Sequence, residues 1–435
     1  MRFYLETFGC QMNVNDSERV ASLLSQNGYQ PSKDARSADL ILLNTCSIRE
    51  KAASKVYSRI GELKRTANSK NVIFGVIGCV AQDEAETIFR KSQAVRLVMG
   101  PRSIGRLPVL LSRLEQGYPR AIDVAQNVPS EFTSADASSR INQTTGFVTI
   151  IEGCNKNCSY CIVPYTRGRE NSRSPEAILA EIDMLISAGY KEICLLGQNV
   201  NSYKYADDKG EVTFAKLLQY LARRTTGIRI KFTTSYPRDF DRDLVKVLAE
   251  NENLCNWIHL PVQSGSDNVL RRMYRQYTRK SYMDRIEMIR NCGREMSLTG
   301  DFIVGFPGET EEDFQETLSL LDEVKYDGIY SFAYSPRPHT PAAFFTDSVP
   351  SEVKNERLSR LIEHQAGIQK ANYQRYIGRK LEVLVEGKSA RQSEMTGHSP
   401  CNRVVNFMGS EDLAGKMVSV EVTKANNNSL FGELC

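Results

Sequence analysis

The sequence predicts an α/β multidomain protein with an amino-terminal parallel α/β domain, a central partial (βα)6 barrel and a small antiparallel β-barrel at the carboxy terminus. A chain of 435 residues is too long for one compact core. Short β-rich runs alternate with stretches of helical spacing up to about residue 334. Beyond Gly378, short alternating runs are separated by Gly, Asn and Ser turns, which favours the second kind of barrel.

The composition is that of a globular protein, with 41% hydrophobic and 25% charged residues. This balance excludes a disordered chain. The longest uncharged apolar run, 72–81, has about ten residues, whereas a membrane span requires roughly 20. The beginning of the chain contains no apolar region of a signal peptide. We therefore expect a cytoplasmic protein without a membrane span.

Residues 1–120 are predicted to form the amino-terminal domain. Their β-rich runs are 2–8, 39–44 and 71–77, and the stretches 16–26 and 48–68 between them have helical spacing. A cysteine closely follows each predicted strand: Cys10, Cys46 and Cys79. Because the carboxyl ends of parallel strands meet at one edge of a sheet, we expect the three thiols to converge there. Three separate buried thiols are the alternative.

A polar stretch at 127–145, rich in Ser, Thr, Asp and Asn, favours a linker, which we place at 121–145. The central domain, 146–372, contains six predicted strands: 147–152, 192–196, 228–233, 257–262, 299–304 and 328–334. The helix predicted at 175–187 follows Ser174 and has Pro175 as its first residue, a usual helix start. Six strand–helix units form a barrel that stays open on one side.

The carboxy-terminal domain, 373–435, overlaps the end of a charged helical stretch at 353–376. Its predicted strands are 380–385, 403–407, 417–422 and 429–434. Small barrels of such strands often bind oligonucleotides. The net charge is +4 in the whole chain, with +7 in 1–120, −4 in 121–372 and +1 in 373–435. This distribution permits nucleic-acid binding without requiring it.

Eleven cysteines are many for a cytoplasmic chain, and their odd number excludes a complete set of disulfides. The densest group is Cys154, Cys158 and Cys161, spaced C-x3-C-x2-C after the first predicted barrel strand. Three thiolates can bind three irons of a [4Fe–4S] cluster and leave the fourth iron open. A structural zinc site is the alternative, but it requires four ligands, and no further Cys or His lies within 30 residues.

The 154–161 loop, with Tyr160 before the third cysteine, resembles the signature of the radical S-adenosylmethionine enzymes. The resemblance implies an open iron that binds S-adenosylmethionine, a 5′-deoxyadenosyl radical after one-electron reduction, and a partial (βα)6 barrel of the radical S-adenosylmethionine type. The implied contacts with S-adenosylmethionine are Tyr160, Gln198, Asn199, Ser235 and Gln263. An ordinary turn is the alternative at each strand end.

Further segments are similar to the methylthiotransferase family: 7–13 with 16–18, 44–46, 78–79, 153–170, 259–266 and 301–310. Residues from 373 onward resemble the tRNA-binding TRAM domain of that family, so the resemblance covers the whole chain. It implies that Cys10, Cys46 and Cys79 hold an auxiliary [4Fe–4S] cluster. The protein would then carry two [4Fe–4S] clusters and use S-adenosylmethionine as methyl donor and radical source, with no catalytic residue beyond the cluster cysteines.

Within the family, 11–13 and 402–407 resemble members that act on tRNA. The resemblance implies conversion of N6-(dimethylallyl)adenosine at position 37 of tRNA to its 2-methylthio derivative, by radical C2–H abstraction and transfer of a methylthio group from the auxiliary cluster. This C2–H is neither acidic nor electrophilic, so an ordinary general base cannot open it. The alternatives are a methylthiotransferase for threonylcarbamoyladenosine in tRNA or for a ribosomal protein aspartate, and a non-catalytic RNA-binding Fe–S carrier.

The implied partners are a tRNA with an isopentenylated adenosine in its anticodon loop, an electron donor such as flavodoxin, and Fe–S assembly proteins. A monomer is expected. The stretch 397–401 departs from the family pattern, where a polar turn is expected, and this affects the expected contacts of the barrel with tRNA.

Two groups of basic residues have two interpretations each. The run 271–280 contains five basic residues and two tyrosines, which suit RNA phosphates and bases or a solvated helix face. The same choice applies to Arg167, Arg169 and Arg173 near the cysteine loop.

Overall fold

A computed structural model describes residues 1–47, 50–66, 71–126, 132–208, 210–389 and 394–435, and gives only the backbone for 50–54. By its internal contacts the chain divides into two compact units. The first unit comprises Met1–Ile141, Ile151–Lys156 and Ile162–Arg173, and the second comprises Asn142–Ile150, Asn157–Cys161 and Ser174–Cys435.

A parallel sheet forms the centre of the first unit. Its described strands, β1 to β6, are Arg2–Thr7, Gln30–Pro31, Leu40–Thr45, Ile73–Gly78, Val95–Met99 and Ala121–Asp123. They lie in the order β2-β1-β3-β4-β5-β6, and all neighbouring pairs are parallel. The described helices of 1–141, α1 to α5, are Gln11–Gln26, Glu50–Thr66, Cys79–Glu84, Thr87–Lys91 and Leu107–Glu115. The predicted parallel α/β domain is confirmed.

Helices pack against both faces of this sheet. Its central strands are therefore buried on both sides and consist mainly of apolar residues. All residues of β3 and β4 are buried, as is typical of parallel strands between two helical layers. The predicted strands correspond to β1, β3 and β4. Strands β2, β5 and β6 are not predicted from the sequence; β2 and β6 have only 2 and 3 residues, and β5 has 5. The middle of the predicted helical stretch 48–68 forms α2, and its ends, 48–49 and 67–68, lie outside the described residues.

Residues 132–141 belong to the first unit and are tied to α1. Arg140 pairs with Glu18 at 3.1 Å, and each of these side chains is 1% exposed. Ser22 Oγ donates a hydrogen bond to Asp136 at 2.8 Å. Within the predicted linker, 121–123 form β6 and 127–131 lie outside the described residues.

The second unit begins with a half-barrel. The strands from residue 145 to 333, β7 to β16, are Thr145–Thr149, Ile151–Glu152, Asn171–Ser172, Glu192–Leu196, Lys204–Asp207, Gly210–Thr213, Arg229–Phe232, Trp257–His259, Ser297–Val304 and Gly328–Ala333. Of these, β8 and β9 belong to the first unit. Strands β13-β10-β7 form one parallel sheet and β14-β15-β16 another. Ser235 N donates to His259 O at 3.1 Å, and a parallel bridge links Ile230 with Leu254. These contacts join the two sheets, and the predicted partial (βα)6 barrel is confirmed.

Helices α6 to α13 are Val163–Thr166, Pro175–Ser187, Phe214–Arg224, Arg242–Glu250, Asp267–Arg272, Arg279–Arg290, Glu311–Val324 and Ser351–Gln374. The predicted start of α7 is confirmed, because Ser174 Oγ accepts a hydrogen bond from Ala177 N at 3.2 Å. None of the helices in the described ranges is both long and apolar enough to span a bilayer.

Two barrel strands end three residues earlier than predicted. The strand predicted at 147–152 ends at Thr149, and Ile151 and Glu152 pair as β8 with β9. The Glu152 carboxylate lies 2.7 Å from Arg19 Nη1 within the first unit. The strand predicted at 257–262 ends at His259, shortly before Pro261, which has no N–H to donate.

The carboxy-terminal residues form a closed barrel. Its strands, β17 to β21, are Lys380–Lys388, Glu394–His398, Val404–Met408, Met417–Ala425 and Leu430–Leu434, in the order β17-β18-β19-β21-β20. The predicted small β-barrel is confirmed, although β19 and β21 pair in parallel. Strand β18 is not among the strands predicted from the sequence. Its Gly397 fits only without a side chain, because a Cβ would lie 2.1 Å from Leu384 O.

Two buried arginines fix this barrel to the half-barrel within the second unit. Arg229 donates to His398 O at 2.8 Å and to Glu382 Oε1 at 3.1 Å. Arg403 pairs with the Asp327 carboxylate, and its guanidinium lies 4.0 Å from the centroid of the Tyr376 ring. The barrel is therefore attached through two guanidinium groups that are shielded from water.

We predict that Arg403→Ala lowers the free energy of unfolding by about 3 kcal/mol, because it leaves the Asp327 carboxylate buried without its cation. Lys416→Ala is the matched control, since it removes an exposed pair with Asp412 and should cost at most about 1 kcal/mol. Urea unfolding followed by circular dichroism measures both. Equal losses in the two variants would contradict the assigned role of Arg403.

Candidate functional site

The structure brings Cys10, Cys46 and Cys79 to one edge of the amino-terminal sheet. Cys10 is the residue before α1, Cys46 directly follows β3, and Cys79 is the first residue of α3 after β4. The strands β1, β3 and β4 are neighbours in the sheet. Gly9 marks how closely the chain segments approach, because a Cβ added there would lie 2.6 Å from Cys46 Cβ.

The Cys10 thiol of this group has a lowered pKa. A hydrogen bond from Cys46 lowers the pKa of Cys10 to about 6, against the effect of burial, and the Arg167 charge and the Asn13 backbone N–H act in the same direction. Cys10 also lies at the amino end of the 16-residue helix α1, where the helix dipole favours a thiolate. Burial raises the pKa of the Cys79 thiol, although Arg167 opposes this effect. Thiolates are the form that binds iron.

Buried side-chain amides hold the first turn of α1 against β3. Asn44 Nδ2 donates to Asn13 O at 2.8 Å and to Ser17 Oγ at 2.9 Å. Asn13 Nδ2 in turn donates to Phe8 O at 3.3 Å. Gly78 has φ 89°, and a Cβ there would lie 2.3 Å from Asn44 Oδ1. This packing fixes the backbone that carries all three thiols.

Arg167 is the cation beside this thiol group. Its Nη2 donates to Asp16 Oδ2 at 2.6 Å, and Arg19 connects Asp16 with Glu152. All four side chains are buried. Arg167 Nη1 is buried and has no hydrogen-bond acceptor among the described residues. An unsatisfied buried N–H next to thiols suits an anionic group, such as the sulfide of an iron–sulfur cluster.

These residues fit a cluster with three cysteine ligands. No three His, Cys, Asp or Glu side chains among the described residues are placed around a single metal ion. A cubane cluster does not require such a placement, because each thiolate binds a different iron. A donor set of three cysteine thiols suits a cluster of this kind.

The second cysteine group lies on the 154–161 loop. In the first unit, Cys154 N donates to Gly168 O at 3.0 Å and Lys156 N donates to Cys154 Sγ at 3.4 Å. In the second unit, Cys161 N donates to Cys158 O at 3.0 Å. Cys158 is buried, and Cys161 is partly exposed. Three thiols on eight consecutive residues suit the same chemistry.

The segment from the end of α10 to the start of α11 is hydrogen-bonded to the second half of this loop. Ser159 N and Oγ donate to Met273 O and Arg272 O at 3.0 and 2.7 Å. Arg275 Nη1 lies 3.3 Å from Cys158 Sγ and 3.3 Å from Tyr160 Oη. The turn thus sets the position of Cys158 and of the Tyr160 ring.

The other predicted contacts of S-adenosylmethionine lie at the carboxyl ends of half-barrel strands. Gln198 and Asn199 follow β10, Ser235 follows β13 and Gln263 follows β14. Ser235 Oγ is buried without a hydrogen-bond partner among the described residues. Gln263 has φ 79° and is held by its backbone, which bonds Asp301 O and Ile303 N. Their contact with S-adenosylmethionine stays a prediction.

The structure changes the interpretation of the basic residues. Arg271 and Tyr274 are exposed, but Arg275 in the same run is buried, so the run is not one solvated helix face. Arg167 and Arg173 are also buried. No periodic pattern in the sequence marks Arg275 or Arg167 as internal, because their partners lie far away along the chain.

Three family models match the chain: Uncharacterized protein family UPF0004 at residues 2–100, Radical SAM superfamily at 148–321 and TRAM domain at 374–435. A protein of Koribacter versatilis (strain Ellin345) named tRNA-2-methylthio-N(6)-dimethylallyladenosine synthase is 47% identical, over 99% of this chain and 98% of its own. Proteins of that name from Solibacter usitatus (strain Ellin6076) and Geobacter metallireducens (strain ATCC 53774 / DSM 7210 / GS-15) are 47% and 45% identical, over 99% of this chain and 97% and 98% of theirs.

Solved structures show the same fold at low identity. The radical S-adenosylmethionine methyltransferase TsrM from Kitasatospora setae, with cobalamin and a [4Fe-4S] cluster bound, has a TM-score of 0.58 and 14% identity, over 79% of this chain and 74% of that one. The cobalamin-dependent S-adenosylmethionine radical enzyme OxsB has a TM-score of 0.52 and 14% identity, over 83% of this chain and 56% of that one. These two similarities concern the fold alone.

We predict that Cys10 in the cluster-free protein reacts with iodoacetamide in a pH-dependent way with a midpoint near its pKa of about 6. The reaction rate should rise with pH, because only the thiolate attacks. Arg167→Met should move the midpoint upward, since it removes a charge that favours the thiolate. Peptide mass spectrometry measures the rate, with the exposed Cys435 as reference thiol. A midpoint near 8.5, the value of a free thiol, would contradict the prediction.

Proposed function

The chain belongs to the family of tRNA-2-methylthio-N(6)-dimethylallyladenosine synthases, and on this premise we propose that it converts N6-(dimethylallyl)adenosine at position 37 of tRNA to the 2-methylthio derivative. It is an enzyme, a radical S-adenosylmethionine methylthiotransferase that acts with an iron–sulfur cluster and S-adenosylmethionine. The observation that carries the proposal is an identity of 45% to 47% that extends over 99% of the chain.

The chemistry of the substrate explains why the chain presents thiols rather than an acid–base pair. The C2–H of adenine has no acidity that a side chain could use. Cys154, Cys158 and Cys161 would hold the iron–sulfur cluster, which together with S-adenosylmethionine supplies one-electron radical chemistry when bound. The side chains around these cysteines then have to orient the ligands and exclude water.

Residues at the edge of the half-barrel support this role. The Tyr160 ring lies edge-on to Phe306, with 6.4 Å between ring centroids, so its position is fixed by packing. Ser235 Oγ is a buried polar atom without a partner among the described residues, and it would gain one from a polar ligand. The backbone of Gln263 is held on both sides. We propose that these residues, with Gln198 and Asn199, bind S-adenosylmethionine.

A second [4Fe–4S] cluster at Cys10, Cys46 and Cys79 is part of the proposal. The thiolate character of Cys10 and the unsatisfied Nη1 of Arg167 support it. This cluster would carry the sulfur that becomes the methylthio group. The chain would thus keep the source of sulfur and the source of the radical on separate cysteine groups.

The TRAM domain implies tRNA as substrate, and we propose that the recognised tRNA carries an isopentenylated adenosine in its anticodon loop. One-electron reduction requires a donor, for which we propose a flavodoxin-like protein. Fe–S assembly proteins would load the clusters. We further propose that the enzyme works in the cytoplasm as a monomer.

We predict that alanine at Cys10, Cys46 or Cys79 abolishes methylthio product but preserves 5′-deoxyadenosine formation. Alanine at Cys158 should abolish both, because it removes a ligand of the radical-forming cluster. Anaerobically reconstituted protein should bind about eight irons, and each variant about four. Cys435→Ala serves as control, since Cys435 is exposed and should keep both activities. Loss of 5′-deoxyadenosine in the Cys10, Cys46 and Cys79 variants would show that these residues are misassigned.

We predict that an anticodon-loop RNA with dimethylallyladenosine yields methylthio product by mass spectrometry. The same RNA with threonylcarbamoyladenosine, and the ribosomal protein substrate, should yield at most background. Product from either of these alone would favour the corresponding alternative methylthiotransferase. Absence of 5′-deoxyadenosine with reductant and S-adenosylmethionine would favour the non-catalytic carrier.

A further inference from the structure

Arg275 is a buried cation with no role in the proposed reaction as described above. It is 5% exposed and donates hydrogen bonds with all three guanidinium nitrogens. Nε lies 2.7 Å from Tyr277 Oη, Nη2 lies 2.9 Å from Pro261 O, and Nη1 lies 3.3 Å from both Cys158 Sγ and Tyr160 Oη. None of these four acceptors is a carboxylate. One of them is the sulfur of Cys158, the second cysteine of the 154–161 loop.

Aromatic rings surround the same guanidinium. Its central carbon lies 4.7 Å from the Tyr236 ring centroid and 5.1 Å from that of Tyr277. Rings in this position favour a cation and keep water away from it. A charge in such a site acts more strongly on its neighbours than a charge in water does.

The backbone on either side of Arg275 is unusual. Tyr274 and Gln276 both have φ 57°, a left-handed conformation that is unfavourable for residues with a Cβ. Tyr236 Oη donates to Arg275 O, and Arg275 N donates to Leu270 O at 3.0 Å. These bonds hold the turn in a shape that directs the guanidinium toward Cys158. Such strain persists where the surrounding structure enforces it, and it is concentrated at functional sites.

We propose that Arg275 raises the reduction potential of the cluster that Cys158 helps to hold, by donating a hydrogen bond to the Cys158 sulfur and placing a positive charge beside it. The inference rests on the proposed function only in that Cys154, Cys158 and Cys161 bind a cluster. Reduction adds one electron from the donor, so the reduced cluster is the more negative state. A nearby cation and an N–H···S bond stabilise that state more than the oxidised one.

The same nitrogen has a second effect on the site. Arg275 Nη1 also bonds Tyr160 Oη, so one guanidinium fixes both a ligand and the aromatic residue of the loop. Tyr277 Oη donates to Val262 O at 2.8 Å, next to Gln263. Arg275 is thus a positioning residue that connects the cysteine loop with the segment 261–263, which follows β14. Lysine cannot replace it fully, because one ammonium does not offer this planar fork of donors.

The test is an EPR-monitored redox titration of the full-length chain with C10A, C46A and C79A, so that the signal comes from one cluster. It needs neither tRNA nor turnover. We expect R275Q to lower the equilibrium constant for reduction at least tenfold, a shift of about 59 mV for one electron. R275K should show a smaller shift in the same direction. R271Q removes an exposed arginine of the same run and should leave the potential unchanged.

An unchanged potential in R275Q with the iron and sulfide content of the parent would overturn the inference. If R275Q does not retain the cluster, the reduction potential of R275K is the deciding measurement. An unchanged potential in R275K would then overturn the inference. A parent protein that binds no cluster at Cys154, Cys158 and Cys161 would overturn both this inference and the proposed function. A shifted potential together with failed product assays would support the inference and count against the proposed tRNA reaction alone.

Discussion

A buried guanidinium beside thiols is the interaction on which both cysteine groups depend. Arg167 lies beside the amino-terminal thiols and Arg275 beside Cys158. Burying an unpaired cation is costly. Arg167 has the Asp16 carboxylate as a partner. Among the described residues, Arg275 donates to tyrosine and backbone oxygens and to the Cys158 sulfur. An anionic group bound beside Cys158 would therefore offset the cost of burying Arg275.

The topology explains how thiols from distant parts of the sequence reach one place. In a parallel sheet every carboxyl end lies on the same edge, so β1, β3 and β4 deliver Cys10, Cys46 and Cys79 without any long loop. Helix α1 then begins directly after Cys10. The half-barrel repeats the principle, because Gln198, Ser235 and Gln263 follow its strands β10, β13 and β14. In each unit, the shared edge of the strands brings together side chains that are far apart in the sequence. In the 154–161 loop, close spacing in the sequence brings three cysteines together.

Local patterns in the sequence were sufficient to predict most of the fold and to place the cysteines at the strand ends and on the 154–161 loop. The apolar run of β3 and the C-x3-C-x2-C spacing both lie within a few residues. The arginines could not be found in this way. Arg275 and Cys158 are 117 residues apart, and Arg167 and Asp16 are 151 apart. Glu152 is predicted in a barrel strand, but its carboxylate pairs with Arg19, which is 133 residues away in the sequence. Residue type and spacing cannot reveal a pairing that exists only after the chain has folded.

The same limit applies to net charge as a guide to RNA binding. The excess of +7 in 1–120 does not tell which cations are exposed and unpaired in the folded protein. Arg59 and Arg106 pair with carboxylates, and Arg96 donates to the backbone oxygens of 114, 118 and 119. Only cations that remain exposed release counterions when RNA binds. Lys64 and Arg65 at the end of α2 are of this kind. The charge that matters for RNA binding is thus a property of the folded surface, because the sequence count does not show which cations stay exposed and unpaired.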